Sequence, residues 1–436
     1  MLFRLKHLTL FAALVAVLLA AAATTAQEEP VNFQSTQFNT VEEAERARAI
    51  LAAFMGELNF VTTEEGPLID LLIAEGQAGT GSTDVIGALH GTYPSLVARD
   101  LLFDLSELVE RLDGQYDIAD SFVALGRMGT TDYQYYIPWM QATYVMAANE
   151  EALAYLPEGA DLNALTWEDL AAWGAALAEA TGENKLGFPV AGLFHRFLQG
   201  YIYPSYTGGM VTEFRSEAAG EMFEFLRDEL WPYVNAESIN YAFMNEPLLS
   251  GEVWVAFDHV ARLGPAFAAV ANGETDKRFV AFPAPAGPAG RGFMPVVVGL
   301  GIPFTSPNPD AAEAVIEFML SPETQAAVLE SLAFFPVVSG VDMSSLPESV
   351  SLIAAAVEAQ GTSPDALPAL LPVGLGDRGG EINQIFRNAF TRIVFDGEPI
   401  MDVLMSEGES LNTLLSETGA RCWPPDPASE GPCVVK

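Results

Sequence analysis

Residues 31–36 alternate apolar and polar, as a half-buried β-strand does. Behind them Val41, Ala44, Ala47, Leu51 and Phe54 recur at helical spacing, with Glu42 and Glu43 in the first turn of the helix. A second strand is predicted over residues 59–62, a helix from Gly66-Pro67 to Gly76, and a third strand over residues 84–88. Strand and helix alternating in this way predict an α/β fold with a parallel, doubly wound sheet. In such sheets ligands sit beyond the carboxyl ends of the strands. That rule places Thr36-Gln37 and Leu89-His90-Gly91 at the mouth of a site.

Further along, an apolar strand (residues 279–282) meets a Pro/Gly strip (residues 283–290), then a strand ending in Gly299-Leu300-Gly301-Ile302, then an amphipathic helix, and the run closes on Phe334-Phe335-Pro336. Proline fixes φ and glycine frees it, so the strip predicts a localised hinge between two strands. A chain of 436 residues, half of them hydrophobic, exceeds what one core usually serves and predicts two lobes.

The amino terminus carries Arg4, Lys6 and His7, an apolar run over residues 8–23, and Thr24-Thr25-Ala26 ahead of Glu28-Glu29. This is the pattern of a secretory signal, with cleavage expected after Ala26; an uncleaved anchor is the rival reading. The run is shorter than the ~20 residues of a comfortable span. No cysteine follows it, so a lipid-anchored form is not expected and a free periplasmic or secreted protein is. The only cysteines, Cys422 and Cys433, are expected to pair in an exported protein, closing a tail over residues 421–436. The four histidines show no ligand spacing, and no metal or other cofactor is expected.

A formal net charge of −38, which becomes more negative once Arg4 and Lys6 are removed with the signal, excludes nucleic acid as a routine partner. It suits a soluble monomer and, on field grounds, disfavours an anionic solute, although a local site can override a global charge.

Several runs carry a family resemblance in their order. They are Phe282-Pro283-Ala284-Pro285-Ala286-Gly287-Pro288, then Val297-Val298-Gly299-Leu300-Gly301-Ile302-Pro303, then residues 306–325 from Ser306-Pro307-Asn308-Pro309 to Gln325. Leu165-Thr166-Trp167-Glu168-Asp169-Leu170, the Tyr-Ile-Pro step at Tyr136-Ile137-Pro138, and the helix with Gly-Glu turn over residues 381–404 extend it. Together they resemble the extracellular solute-binding proteins of ABC importers, nearest to the carbohydrate-binding, maltose-type (family 1) group. The resemblance implies a two-lobed periplasmic-binding-protein fold of type II with a multi-strand hinge. Lobe one would comprise residues 31–138 plus 286–333, and lobe two residues 139–285 plus 334–420. It implies a monomer that captures a small-molecule solute, a carbohydrate, hands it to ABC permease subunits, and catalyses nothing.

A sugar offers weakly polar C–H faces and a ring of hydroxyls, so its cleft needs aromatic surfaces and side chains that donate and accept hydrogen bonds. Near the expected crossovers and strand ends the aromatic candidates are Trp139, Tyr203, Tyr206, Trp254 and Phe293. The polar candidates are Gln37, Asp84, His90, Gln141, Asp258, Arg378 and Asn383, with Asp258 the favoured acid. Two rivals remain: the same fold binding a polyamine or phosphorylated polyol, and a secreted hydrolase. The chain shows no nucleophile elbow, P-loop or zinc motif to support the second.

Overall fold

A computed structural model describes residues 30–38, 41–118, 120–342, 344 and 346–436; the expected signal over residues 1–26 lies outside the described residues. Eleven strands are described: β1 (Val31–Ser35), β2 (Leu58–Thr62), β3 (Val85–Leu89), β4 (Ile137–Ala142), β5 (Tyr144–Asn149), β6 (Leu186–Gly187), β7 (Val255–His259), β8 (Phe279–Phe282), β9 (Arg291–Phe293), β10 (Val296–Gly301) and β11 (Ala366–Pro368). They form a five-stranded sheet ordered β2-β1-β3-β10-β4, a four-stranded sheet ordered β6-β7-β5-β8, and a β11-β9 pair. In the first sheet β1 runs parallel to β2 and β3, while β10 enters antiparallel to both of its neighbours. Each large sheet is the centre of one lobe.

The alternation read in the sequence has its expected consequence. Val31, Phe33 and Ser35 of β1 face inward, and the Phe33 ring meets Phe60 of β2 edge-on at 5.1 Å. In lobe two, helix Trp167–Thr181 opens with a reciprocal capping box: the Asp169 amide donates to Thr166 Oγ1 at 3.1 Å, and the Thr166 amide donates to the Asp169 carboxylate at 3.0 Å. Trp167 and Trp173 on this helix are fully buried. Close packing in lobe one requires glycine inside the sheet. A Cβ on Gly299 of β10 would lie 2.1 Å from the Tyr136 ring.

Three chain crossings differ from the sequence reading. The first was expected at Pro138, but β4 continues along β10 to Ala142 and Tyr144 already pairs with His259 of β7, so the chain changes lobe across Thr143 alone. Pro138 is accommodated because β4 is the edge of its sheet and the ladder carries a register shift beside it, at Val298/Gly299, where the missing N–H costs least. The Pro/Gly strip over residues 283–290 is fastened to lobe two and is not the bending point. The Ala286 amide donates to Leu165 O (2.8 Å), the Trp167 amide to Ala286 O (3.0 Å) and the Ala289 amide to Ser205 O (2.8 Å). The crossing falls instead at Met294-Pro295, between β9 and β10. Residues 334–338 remain on lobe one, where Phe335 exchanges backbone hydrogen bonds with Gln141, and the Ser339 amide still donates to Tyr116 O. Helix Glu348–Gly361 then packs on β8 in lobe two.

The carboxyl-terminal tail returns to lobe two. Cys422 and Cys433 form a disulfide. Within the loop they close, the Asp426 carboxylate accepts from the amides of Met210, Val211 and Thr212 at 2.8–3.1 Å and from Thr212 Oγ1 at 2.6 Å.

Candidate functional site

The lobes enclose a cavity of about 360 Å³ beyond the carboxyl ends of β2 and β3. Lobe one supplies Glu65, in the first turn of helix Glu65–Ala78, and Thr92, in the turn after β3; lobe two supplies Arg196, Pro372, Gly380 and Asn383. Thr92 Oγ1 donates to Glu65 Oε1 at 2.8 Å, which fixes an acceptor on the lobe-one wall. Across the cavity Gln199 Nε2 donates to Asn383 Oδ1 at 3.0 Å, leaving the Asn383 NH₂ group as a donor. Arg196 has neither a side-chain hydrogen bond nor an ion pair among the described residues. Burial pushes its pKa down, opposed by the fields of Tyr144 and Glu65. The lobes nearly touch at the rim, since a Cβ on Gly91 would stand 3.2 Å from the Pro372 carbonyl oxygen.

A second interlobe cavity, about 580 Å³, is lined largely by apolar groups including Phe122, Leu125, Phe293 and Pro424, together with Gln141 and Gln360. Leu370 lines this cavity and Leu371 the first. The strap that follows β11 is therefore the wall between them, and its Leu370 amide donates to Pro424 O of the disulfide-closed tail at 3.0 Å.

The structure distributes the sequence candidates unevenly. Asn383 lines the first cavity; Gln141 and Phe293 line the second. His90 lies just behind the rim, buried, with Nδ1 2.6 Å from Tyr136 Oη, and burial holds its pKa down at about 4, so the ring is neutral at neutral pH. Gln37 follows β1 but turns its amide back to Thr36 Oγ1 (3.1 Å) and lines neither cavity.

Seven candidates are structural. Asp84 stands at the amino end of β3, away from the cleft, accepting from the Asn32 amide (2.9 Å), Ser306 Oγ (2.9 Å) and the Asn308 amide (3.1 Å). Trp139 is 1% exposed and packs its ring against Phe38. Tyr203 is fully buried, donating to Phe214 O at 3.0 Å and packed on Phe214 and Phe386. Tyr206 donates to Glu168 Oε1 at 3.1 Å, inside lobe two. Trp254 precedes β7, at the end remote from the cleft, beside Tyr155 and under the Lys185 ammonium. Asp258, the favoured acid, is 2% exposed and ties the Met244 amide (2.8 Å) to its neighbour His259 (2.7 Å); burial raises its pKa to about 7. Arg378 turns outward to Glu381 (2.6 Å) and Glu417 (2.8 Å).

Glu65, Thr92 and Arg196 were not anticipated. Arg196 had a usable signal: it interrupts the run Phe194-His195-Arg196-Phe197 with no acid a helical turn away, so an unpaired cation on an otherwise apolar turn could have been inferred. Among the described residues no cluster of three or more His, Cys, Asp or Glu side chains is placed to hold a metal.

Two sheet-centred lobes facing one another across a cavity walled by both define a two-lobed, type II solute-binding protein. The family model described as bacterial extracellular solute-binding protein matches residues 41–326, and the chain belongs to that family. No curated protein matches. Solved structures share the fold. The GacH receptor of Streptomyces glaucescens, determined unliganded and with acarbose, is 19% identical with a TM-score of 0.67, over 88% of this chain and 98% of that one. Maltose-bound T. maritima MalE3 is 17% identical with a TM-score of 0.68, over 88% and 100%. UgpB from Mycobacterium tuberculosis, in complex with glycerophosphocholine, is 18% identical with a TM-score of 0.67, over 89% and 99%. As a member of this family the chain binds a small-molecule solute outside the cytoplasm for an ABC permease. Among the described residues no helix is long and apolar enough to cross a membrane.

Proposed function

We propose that this protein captures a carbohydrate between its lobes, closes on it and releases it, chemically unaltered, to its permease. The observation that carries the reading is the cavity beyond β2 and β3, walled by polar side chains of both lobes. Only a ligand that touches both walls favours the closed arrangement over the open one, and that difference in affinity is what drives closure. Glu65 and Thr92 on lobe one, and Arg196 and Asn383 on lobe two, are the proposed contacts: an acceptor, a hydroxyl and two donors, which together match a ring of hydroxyls. The chain works as an exported monomer, freed of residues 1–26, in the periplasm or the surrounding medium. The maltose- and acarbose-bound relatives support sugar as the solute class.

Calorimetric titration of the mature chain with monosaccharides, oligosaccharides, amino acids and polyamines tests this. A saccharide binding more tightly than every non-sugar is the expected result. Tight binding of a polyamine or amino acid, with no heat from any saccharide, would contradict it.

A further inference from the structure

Among the described residues lining the first cavity two are charged, Glu65 and Arg196, and they differ in circumstance. Glu65 is exposed and already accepts the Thr92 hydroxyl at 2.8 Å. Arg196 is half-buried between the lobes, facing the cavity with no counter-ion among the described residues, and the field of Glu65 reaches it without an ion pair forming. Three other arginines of lobe two are spoken for: Arg378 by Glu381 and Glu417, Arg392 by Glu398 and Glu407, and Arg387 by the carbonyl oxygens of Val190 and Gly192. In a chain with 58 acidic against 20 basic residues, a guanidinium that faces a cavity with no carboxylate partner among the described residues is conspicuous. A desolvated charge is costly unless something pairs with it.

Lobe two offers further donors beside Arg196. Asn383 offers its NH₂ group, since Gln199 already occupies its oxygen. Helix Gly379–Phe390 begins at the cavity with no side-chain cap on its first amides, and Cβ atoms on Gly376, Gly379 or Gly380 would meet nothing, so that space is open to a ligand. The nearby Glu381 carboxylate is drawn outward onto Arg378.

Resting on the carbohydrate reading, we infer that the solute is an acidic sugar, one whose carboxylate or phosphate pairs with Arg196 and Asn383 in lobe two while its hydroxyls reach Glu65 and Thr92 in lobe one. The protein's overall negative field opposes such a ligand at long range, and the local cation with its ring of donors reverses the preference inside the cavity.

The test is calorimetric titration of the mature chain and of Arg196→Gln with a panel in which each sugar is presented as the neutral compound, the uronate and the phosphate ester. The tightest binder is expected to be an anionic member, by about 10–100-fold over its neutral counterpart, the range expected for a charge-assisted pair. Arg196→Gln is expected to erase that preference, and Arg196→Lys to retain part of it; circular dichroism and melting of both variants report whether they are folded. Preference for the uronate assigns a carboxylate, and for the ester a phosphate. A neutral sugar binding tightest, or Arg196→Gln weakening neutral and anionic members alike, overturns the acidic-sugar inference and leaves the carbohydrate reading intact. No binding by any member overturns both.

Discussion

Thr143 Oγ1 donates to the carbonyl oxygen of Met294 at 3.0 Å, joining two of the strands' crossing points side by side. Both belong to a small polar hub between the lobes. Tyr201 Oη lies 3.0 Å from Thr143 Oγ1 and accepts from the Tyr144 amide at 2.9 Å, while Gln360 Nε2 reaches Thr143 Oγ1 (3.2 Å) and Tyr144 O (3.1 Å). Gln360 Oε1 in turn accepts from the Ala284 amide at 2.9 Å. The crossings are thus anchored on the lobe-two side, and bending is confined to the few residues between these anchors and the first sheet.

Replacing Thr143 with Val keeps the shape and removes the hydroxyl, leaving Met294 O and a Gln360 N–H without a partner in a buried setting. The expected loss is about 1–3 kcal/mol of stability, measured by urea denaturation, with Thr143→Ser much milder. A Val variant as stable as the parent would show that the hub is not holding the crossings.

Gly91 faces Pro372 across the rim, with room for no more than a Cβ. Gly91→Leu wedges the lobes apart without touching either core. A closure cost of about 1–3 kcal/mol would weaken solute binding roughly 5–150-fold in calorimetry while leaving the melting temperature of the free protein nearly unchanged.

These two predictions rest on features the sequence did not disclose, and the reason is physical. Strand and helix positions in lobe one were legible because apolar alternation and helical spacing set them: β1, β2 and β3 fall within a residue of the expected bounds. The Thr166–Asp169 capping box was legible because it is local. The crossing at Thr143 was not, because Pro138 is the visible break in this stretch and drew the boundary to itself, and nothing in a strand's period says that residues on either side of Thr143 pair in different sheets. Trp139, Tyr203 and Tyr206 misled for a related reason: a ring that stacks on a sugar and a ring that fills a core have the same composition and the same neighbours in sequence. Among the aromatic candidates only Phe293 lines an interlobe cavity. Arg196 and Glu65 meet only through tertiary structure.

His90 gives the stability a pH dependence with a defined sign. Burial lowers its folded pKa from 6.5 to about 4, so the unfolded chain takes up a proton first as pH falls. Its contribution is complete above pH 6.5 and is lost between there and pH 4, at most about 3 kcal/mol in all. His195 and His259, also held low, act in the same direction and Asp258 in the opposite one, so the comparison is between the parent and His90→Gln. Melting temperatures of the two should converge as pH falls through this window; parallel curves would refute the assignment.

The disulfide-closed tail supports the wall between the cavities through the Leu370–Pro424 hydrogen bond. Converting both Cys422 and Cys433 to Ser should cost about 3 kcal/mol or less by the loop-closure relation, because the loop is short. It should also weaken solute binding, since the strap bearing Leu371 loses its backing. Loss of stability with unchanged affinity would confine the tail to a purely structural role.

Capture as proposed requires that the lobes shut on a solute held between them. Small-angle X-ray scattering of the mature chain, free and saturated with the tightest-binding sugar of the calorimetric panel, tests it most directly. A smaller radius of gyration is expected in the saturated sample, with no such decrease in Gly91→Leu at equal occupancy. An unchanged radius at full occupancy of the parent protein would contradict it.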